Sequence, residues 1–403
     1  MPSAENSRQP ASRAPFITRV VLRDYRSIEA CDVALGPLTF LVGPNGSGKS
    51  NFLDALRLIA DALRTSLDHA IRERGGIFNI VRRAPGGTGQ FEIRLDFQLH
   101  DGAIGHFSVS VGGTRGYVVH EEECAVGEAK YHVRAGKLLL KPSPVSPPAS
   151  DDRLYLVNAA GIPEFRPVFD ALSDMGLYSI SPDQLRAPQA PDAGEFLARD
   201  GSNLPSVLAR LTTQTDEPLK RRIEEYLGAI VPGLKGVENT SIVHMETLKF
   251  LQHIEGTEGL MAFPAISMSD GTLRALGILV ALFQTRVNQR IQLVGIEEPE
   301  VSLHPAAAGV LRDALRDASQ YTQVIVTSHS PELLDDPSIH GDEILSVVAD
   351  QGKSLIAPVD EETRSALRDR LYTAGELLKA NQLSPDRSAV PQPDQLKLWE
   401  HDT

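Results

Sequence analysis

Cysteine is almost missing from this chain of 403 residues. Only Cys31 and Cys124 occur, neither near a second cysteine nor at a metal-binding spacing. That excludes a disulfide framework and argues against a zinc site. Long apolar runs are missing too: no stretch reaches about 18 residues, so no segment is expected to span a membrane. The first fifteen residues, MPSAENSRQPASRAP, lack an apolar core, so a secretory signal is not expected and a cytoplasmic location is. Positive charge is the minority, 40 Lys and Arg against 53 Asp and Glu, a formal net charge of −13. A surface basic all over for nucleic acid is therefore excluded, although local basic patches remain. Internal repeats and sustained heptads are also absent, which leaves no long coiled coil.

What is there reads as an ordinary globular composition, 41% hydrophobic and 23% charged, long enough for two or three domain-sized units. Residues 1–15 are polar, carry two prolines and are expected to be disordered. Two strands, ITRVVLRDY and LTFLVG, precede a helix expected from Lys49 to about Arg74. FEIRLDFQL (91–99), HFSVSVGG (106–113), YVVHEEECAV (117–126) and YHVRAGKLLL (131–140) alternate with period two between glycine turns, the pattern of an antiparallel meander. HEEEC within it is expected as an acidic hairpin, because consecutive strand residues point to opposite faces and cannot converge on one ion. The expected organisation is 16–140 as a first lobe, 141–264 as a Pro/Ser linker and helical second lobe, 265–382 as the rest of the core, and 383–403 as a flexible tail. Trp399, the only tryptophan, lies isolated in that tail.

GPNGSGKSN (43–51) fits G-x-x-x-x-G-K-[ST] between a strand and a helix, the context the motif requires. Its glycines let backbone N–H groups turn around phosphates, and the helix N-terminus adds a favourable dipole. Lys49 is expected on the β- and γ-phosphates and Ser50 on Mg²⁺. An N-K-x-D guanine-reading motif is missing, which disfavours a GTPase. LVGIEEPE (293–300) then supplies an apolar strand ending in acids. Beside a P-loop strand, Glu297 would hold the metal and Glu298 would polarise the attacking water. QVIVTSHS (323–330) ends a further buried strand, and His329 at its tip would contact the γ-phosphate or the water. SMSDGTLRALGILVALF (267–283) adds a second anion-binding helix start: Ser269 is a good N-cap and Gly271 permits close backbone approach. One nucleotide has no room for two such caps from one subunit, so the Ser269 cap is expected to meet a nucleotide held by another copy.

These four motifs in this order resemble the P-loop, signature, Walker B and switch motifs of ABC-type ATPases, and more narrowly those of the soluble RecF, SMC and OLD group. LRDYRSIEACDVALGPLTFLVGPNGSGKSNFLDAL also resembles that group's N-terminal signature. The resemblance is close over residues 16–60 and 265–335. It implies an α/β fold, a P-loop NTPase of the ABC-type ATPase head with an antiparallel β subdomain and a helical lobe. It implies ATP and Mg²⁺ as ligands and a homodimer closed across the nucleotide. By matching position it assigns Arg26, Gly43, Pro44, Asn45, Gly46, Ser47, Gly48, Lys49, Ser50 and Asn51 to the nucleotide. Ser269, Asp270, Gly271 and Thr272 become the signature acting in trans, Glu298 the catalytic base and His329 the switch histidine. Glu297 stands where the ABC pattern has an aspartate, and Gln184 in LYSISPDQLR is the choice for the metal-contacting glutamine. An SMC-like arm cannot be built from about 220 intervening residues, and no acidic nuclease cluster follows His329. The resemblance points to genome maintenance or phage defence. Arg72, Arg74, Arg82, Arg83 and Lys220, Arg221, Arg222 are the basic clusters that could meet DNA. The competing reading is an ATP-gated switch that controls a separate effector protein without touching DNA.

Overall fold

The computed structural model describes residues 14–399 apart from 84–88, 115, 144–145, 213–215 and 287–288. The disorder expected for the N-terminus falls, up to residue 13, outside the described residues, as do the last four positions of the tail.

The chain opens with a hairpin, β1 (Ile17–Tyr25) and β2 (Ile28–Ala34), and the P-loop strand β3 (Leu38–Val42). Helix α1 (Lys49–Arg64) begins inside the P-loop and breaks at Thr65. Ser66 then caps a second helix, α2 (Leu67–Glu73), by accepting from the His69 N–H. The single helix expected to Arg74 is therefore two. Next come β4 (Gln90–Gln98), β5 (Ile104–Gly112), β6 (Val118–Val126), β7 (Ala129–Arg134) and β8 (Lys137–Leu140). With β1 and β2 they form a seven-stranded sheet in the order β2-β1-β4-β5-β6-β7-β8, antiparallel throughout. The HEEEC acids lie in β6, one arm of the β6–β7 hairpin, as expected.

Helices α3 (Leu156–Ala159) and α4 (Arg166–Ser173), the short strand β9 (Gly176–Tyr178), and helices α5 (Pro182–Arg186), α6 (Leu204–Arg210) and α7 (Glu217–Ile230) follow. A three-stranded antiparallel sheet, β10 (Leu234–Ile242), β11 (Met245–His253) and β12 (Leu260–Pro264), then occupies the end of the stretch expected to be helical. After it come α8 (Asp270–Phe283), a two-residue pair β13 (Thr285–Arg286) and β14 (Gln289–Arg290), β15 (Leu293–Glu297), α9 (Ala308–Ser319), β16 (Gln323–Ser328), α10 (Pro331–Leu334), β17 (Ile344–Asp350), β18 (Lys353–Pro358), α11 (Glu361–Arg368) and α12 (Ala374–Lys379).

The central sheet has the order β18-β17-β3-β16-β15-β9, parallel except for the β18 edge. Its strands are buried on both faces, so they read as continuous apolar runs. Alternate residues feed two cores. Leu41, Ile325 and Leu293 join α1 and the antiparallel sheet. Phe40, Val326 and Ile296 join α7, α8, α9 and β11 on the other side. Helix α8 is apolar almost all round because neighbours enclose it. One expectation fails here: the acidic strand β15 does not lie beside β3, because β16 sits between and pairs with both. Residues 396–399 also depart from a flexible tail, since Leu396, Leu398 and Trp399 pack on Val21 and Ala30 of the β1–β2 hairpin.

Candidate functional site

The P-loop is folded by close backbone contacts that only glycine permits. A Cβ on Gly43 would stand 1.9 Å from the Val347 carbonyl oxygen. Gly48 caps α1 with φ 107°, and a Cβ there would stand 2.0 Å from Ser354 Oγ. Ser354 Oγ lies 2.6 Å from Ser27 Oγ, which accepts from the Asn51 amide at 2.6 Å. The loop is thus braced by β18 and the β1–β2 turn. Pro44, Asn45, Gly46 and Ser50 are exposed, whereas Ser47 is buried with its Oγ lacking a hydrogen-bond partner.

Lys49 is buried, and its ammonium donates to the carbonyls of Gly43 at 2.8 Å and Pro44 at 3.1 Å. Burial lowers its pKa, while Glu298 and Glu300 oppose that shift. Glu298 Oε1 stands 3.9 Å from the Lys49 nitrogen and 3.4 Å from His329 Nδ1. The structure therefore brings Lys49, Glu298 and His329 together. Insertion of β16 between β3 and β15 is what allows it, because the tip of the middle strand brings the histidine to the Glu298 carboxylate, which also lies near Lys49.

Glu298 adopts φ 43°, an uncommon conformation for a side-chain-bearing residue. Its N–H donates to the Thr327 carbonyl at 3.0 Å. Arg274, on the first turns of α8, donates to the carbonyls of Glu297 at 3.3 Å and Glu298 at 3.1 Å. Glu300 accepts from Ser328 Oγ at 2.6 Å and from the His329 N–H at 3.2 Å, which ties the acidic loop to the histidine strand. Glu297 ends β15 beside Thr327. Burial raises its pKa, against the pull of Arg199, 3.7 Å away, and Arg57.

The Ser269 turn caps α8, with Ser269 Oγ accepting from the Thr272 N–H at 3.2 Å. A Cβ on Gly271 would stand 2.4 Å from the Ser302 carbonyl oxygen, so this turn packs on the acidic loop of its own chain. Thr272 is buried. Ser269 and Asp270 face solvent, with Asp270 paired to Arg186 of α5. Among the described residues no hydrogen bond or ion pair joins this turn to the P-loop of the same chain.

Two expected site residues make no contact with Lys49, Glu298 or His329. Arg26 pairs with Asp54 of α1 at 2.7 Å, in a cluster that also includes Arg57, Arg74 at 3.0 Å and the Tyr25 hydroxyl at 2.8 Å. Burial alone would push Asp54 up, but Arg74, Arg57 and Arg26 hold it below the usual carboxylate range. Gln184 is exposed on α5 and makes no hydrogen bond to the acidic loop. Arg274, Glu300, Ser27 and Ser354 were not singled out from sequence. A lone arginine in an otherwise apolar helix was a usable sign for Arg274. Ser354, over 300 residues from the P-loop, offers none.

Lys49 hydrogen-bonded to loop carbonyls, the partnerless buried Ser47 Oγ and the paired acids at the end of β15 fit a triphosphate and a divalent cation. A family model described as "AAA domain, putative AbiEii toxin, Type IV TA system" matches residues 38–123 and 156–335. The DNA replication and repair protein RecF of Shigella dysenteriae is 35% identical over 109 residues, 26% of this chain and 29% of its own length. The RecF of Vibrio vulnificus is 48% identical over 44 residues, 11% of this chain and 12% of its own length. The chain thus matches less than a third of these relatives. A crystal structure of the SmcHead bound to the C-winged helix domain of ScpA superimposes with TM-score 0.53 at 14% identity, covering 87% of this chain and 99% of that one. At that identity the likeness is one of fold.

Proposed function

Because the chain belongs to the AAA-domain family just described, we propose that it is an ABC-type P-loop ATPase of the RecF/SMC group, that it hydrolyses Mg·ATP with Glu298 as general base and that nucleotide closes two copies head to tail. The observation that carries this reading is Glu298 Oε1 lying within 4 Å of both Lys49 and His329. In it, Lys49 exchanges its loop carbonyls for phosphate oxygens, and Ser47 Oγ finds its missing partner there. Ser50 and Glu297 are the ligands this chain would offer to Mg²⁺, which would supply positive charge against the negative charge that develops on the phosphate. Glu298 takes the proton of the attacking water, and His329 orients that water or the γ-phosphate. Arg274 holds the carbonyls on either side of the base in place.

The exposed Ser269 cap supports closure between copies: it is an anion-binding helix start not engaged with its own P-loop. Charge-assisted hydrogen bonds contribute about 1.5–3 kcal/mol each. Moving an open-closed balance from 1:99 to 99:1 takes about 5.5 kcal/mol, so a few such bonds suffice. Glu298→Gln protein is expected to bind ATP, to lose at least about 100-fold in turnover, and to become dimeric with ATP by light scattering. A variant that binds ATP and stays monomeric would remove the closure step.

The likeness to the DNA replication and repair protein RecF supports a role in genome maintenance, with DNA as partner; phage defence is the other process proposed. One observation favours the second reading, a switch acting on a separate effector. Six of the seven basic-cluster residues are ion-paired within the chain: Arg72 with Asp68, Arg74 with Asp54 and Asp61, Arg82 with Glu29, Lys220 with Glu224, Arg221 with Glu217 and Arg222 with Asp317, while Arg83 donates to the Phe78 carbonyl and the Asn79 amide oxygen. Filter binding with and without ATP across a salt series separates the two. Salt-sensitive retention of DNA supports the first, and no retention at low salt supports the second.

A further inference from the structure

Glu300 Oε2 and His329 Nδ1 are buried atoms that find no hydrogen-bond partner among the described residues. Burying a donor or an acceptor unpaired costs stability, so such atoms are uncommon and call for a reason. The Glu300 side chain is only 10% exposed. The Nδ1 edge of the histidine ring faces two carboxylates, Glu298 Oε1 at 3.4 Å and Glu300 Oε1 at 4.0 Å. Carboxylate oxygens accept, so the tautomer that suits this place carries its hydrogen on Nδ1. Of the two acids, Glu300 is the one tied to the histidine strand. Its Oε1 accepts from the His329 N–H at 3.2 Å and from Ser328 Oγ at 2.6 Å. Ser328 Oγ has no second hydrogen to give, and it accepts from the Ser330 N–H at 3.0 Å. The Glu300 carbonyl accepts from the Leu303 N–H at 3.0 Å, which fixes its backbone as well. Glu298 Oε1 instead reaches toward the P-loop, 3.9 Å from the Lys49 nitrogen.

We propose that Glu300 is a positioning residue for His329: with nucleotide in the P-loop, the ring turns its Nδ1–H from the Glu298 side to Glu300, which frees Glu298 for the attacking water. This rests on the reading of Glu298 as general base and of His329 as the group that orients the water or the γ-phosphate. An oxygen engaged by the ring N–H is not available to a water, so one acid cannot serve both. The ring need move only about 1 Å to bring Nδ1 from 4.0 Å to hydrogen-bond distance of the Glu300 carboxylate. That bond pairs the two partnerless atoms with each other. It also sets the ring plane and leaves Nε2 as the ring atom turned to the nucleotide. Glu300 touches neither water nor phosphate, so its whole effect runs through His329.

Glu300→Gln separates the two tasks of this side chain. The amide oxygen still serves the His329 N–H and Ser328, while an NH2 group replaces the acceptor meant for Nδ1–H. ATP turnover is expected to fall about tenfold, with ATP affinity by calorimetry kept within about threefold. Added to His329→Gln, the same change should cost less than about twofold more, because both losses remove one unit. A structural role predicts a second full loss in that background, and such additivity overturns the proposal. Nitrogen NMR of the histidine-labelled full chain, with Mg²⁺ and a non-hydrolysable ATP analogue, reads the tautomer directly. The His329 signals are those that vanish in His329→Gln. Wild type should show Nδ1–H, and Glu300→Gln should shift the ring toward Nε2–H. An Nε2–H ring in the wild type, or the same tautomer in both proteins, overturns the proposal whatever the turnover. Turnover that survives His329→Gln contradicts instead the role given to His329, and the tautomer still decides the Glu300 contact.

Discussion

Glu298 holds its positive φ because four other residues over-determine it. Its N–H is fixed by Thr327, its carbonyl by Arg274, and its side chain faces Lys49 and His329. Arg274 is the member of this set with no other task. Burial lowers its pKa, opposed by Glu300, Glu298 and Glu297, so the acids keep the guanidinium charged inside the protein. Arg274→Gln should release the loop while leaving the P-loop intact. With hydrogen bonds from charged groups worth about 1.5–3 kcal/mol, turnover is expected to fall about tenfold to 100-fold. ATP affinity by calorimetry should stay within about threefold, because no P-loop group changes. A loss of affinity alone, with turnover kept, would contradict a positioning role. At this scale the sequence named Lys49, Glu297, Glu298 and His329 because each sits at a fixed offset from a strand end. It did not give Arg274 a partner, since the contact spans a helix and a loop that meet only in three dimensions.

Strand β6 shows what an element adds to a string of acids. Period two sends Glu121 and Glu123 to one face, where they meet His132 at 2.6 Å and His106 at 2.8 Å. Glu122 points into the core and accepts from the Tyr131 hydroxyl at 2.7 Å, the Tyr155 N–H at 2.6 Å and the Leu156 N–H at 2.8 Å. It thereby fastens the sheet to the start of α3. Burial pushes its pKa up from 4.5 to about 7, although the three hydrogen bonds pull the other way. A pKa raised by folding gives stability that is whole below the unfolded value and fades as pH rises through the folded one. Between about pH 5 and pH 8 the chain should therefore lose up to about 3 kcal/mol from this group. Urea unfolding should find Glu122→Gln less stable than wild type near pH 5, since the amide turns a donor toward the Tyr155 N–H. The gap should narrow toward pH 8, and a gap that is constant with pH would rule out titration of Glu122. The meander strands were legible from alternation. The break between α1 and α2 was written in Ser66 as an N-cap, and the β10–β12 sheet was missed because its exposed outer strand carries little alternation.

For the whole molecule, the C-terminal stretch closes one face of the antiparallel sheet. Leu398 is 1% exposed and Trp399 7%. The Leu398 carbonyl accepts from Ser108 Oγ at 2.8 Å and from Arg94 at 3.3 Å. Burial of a large apolar side chain contributes about 1.5–3 kcal/mol before the cost of ordering the segment. Deleting residues 396–403 is expected to lower stability by about 2–4 kcal/mol in urea unfolding. ATP turnover at low temperature should be kept, because this stretch docks on the β1–β2 hairpin and not on the acidic loop. A deletion that leaves stability unchanged would mean the contact contributes nothing.

The sequence by itself determined the phosphate loop, the acidic and histidine strand ends and the apolar strands of a parallel sheet. These depend on local backbone geometry and periodicity, which a few neighbouring residues dictate. The order of the strands was decided only by tertiary structure. Whether β16 lies beyond β15 or between it and β3 turns on how helices pack across both faces, and that packing is shared among residues hundreds of positions apart. The same holds for the Arg274 clasp, the Glu300–Ser328 bond and the docked tryptophan: each is a contact between segments whose own sequences are satisfied equally well apart.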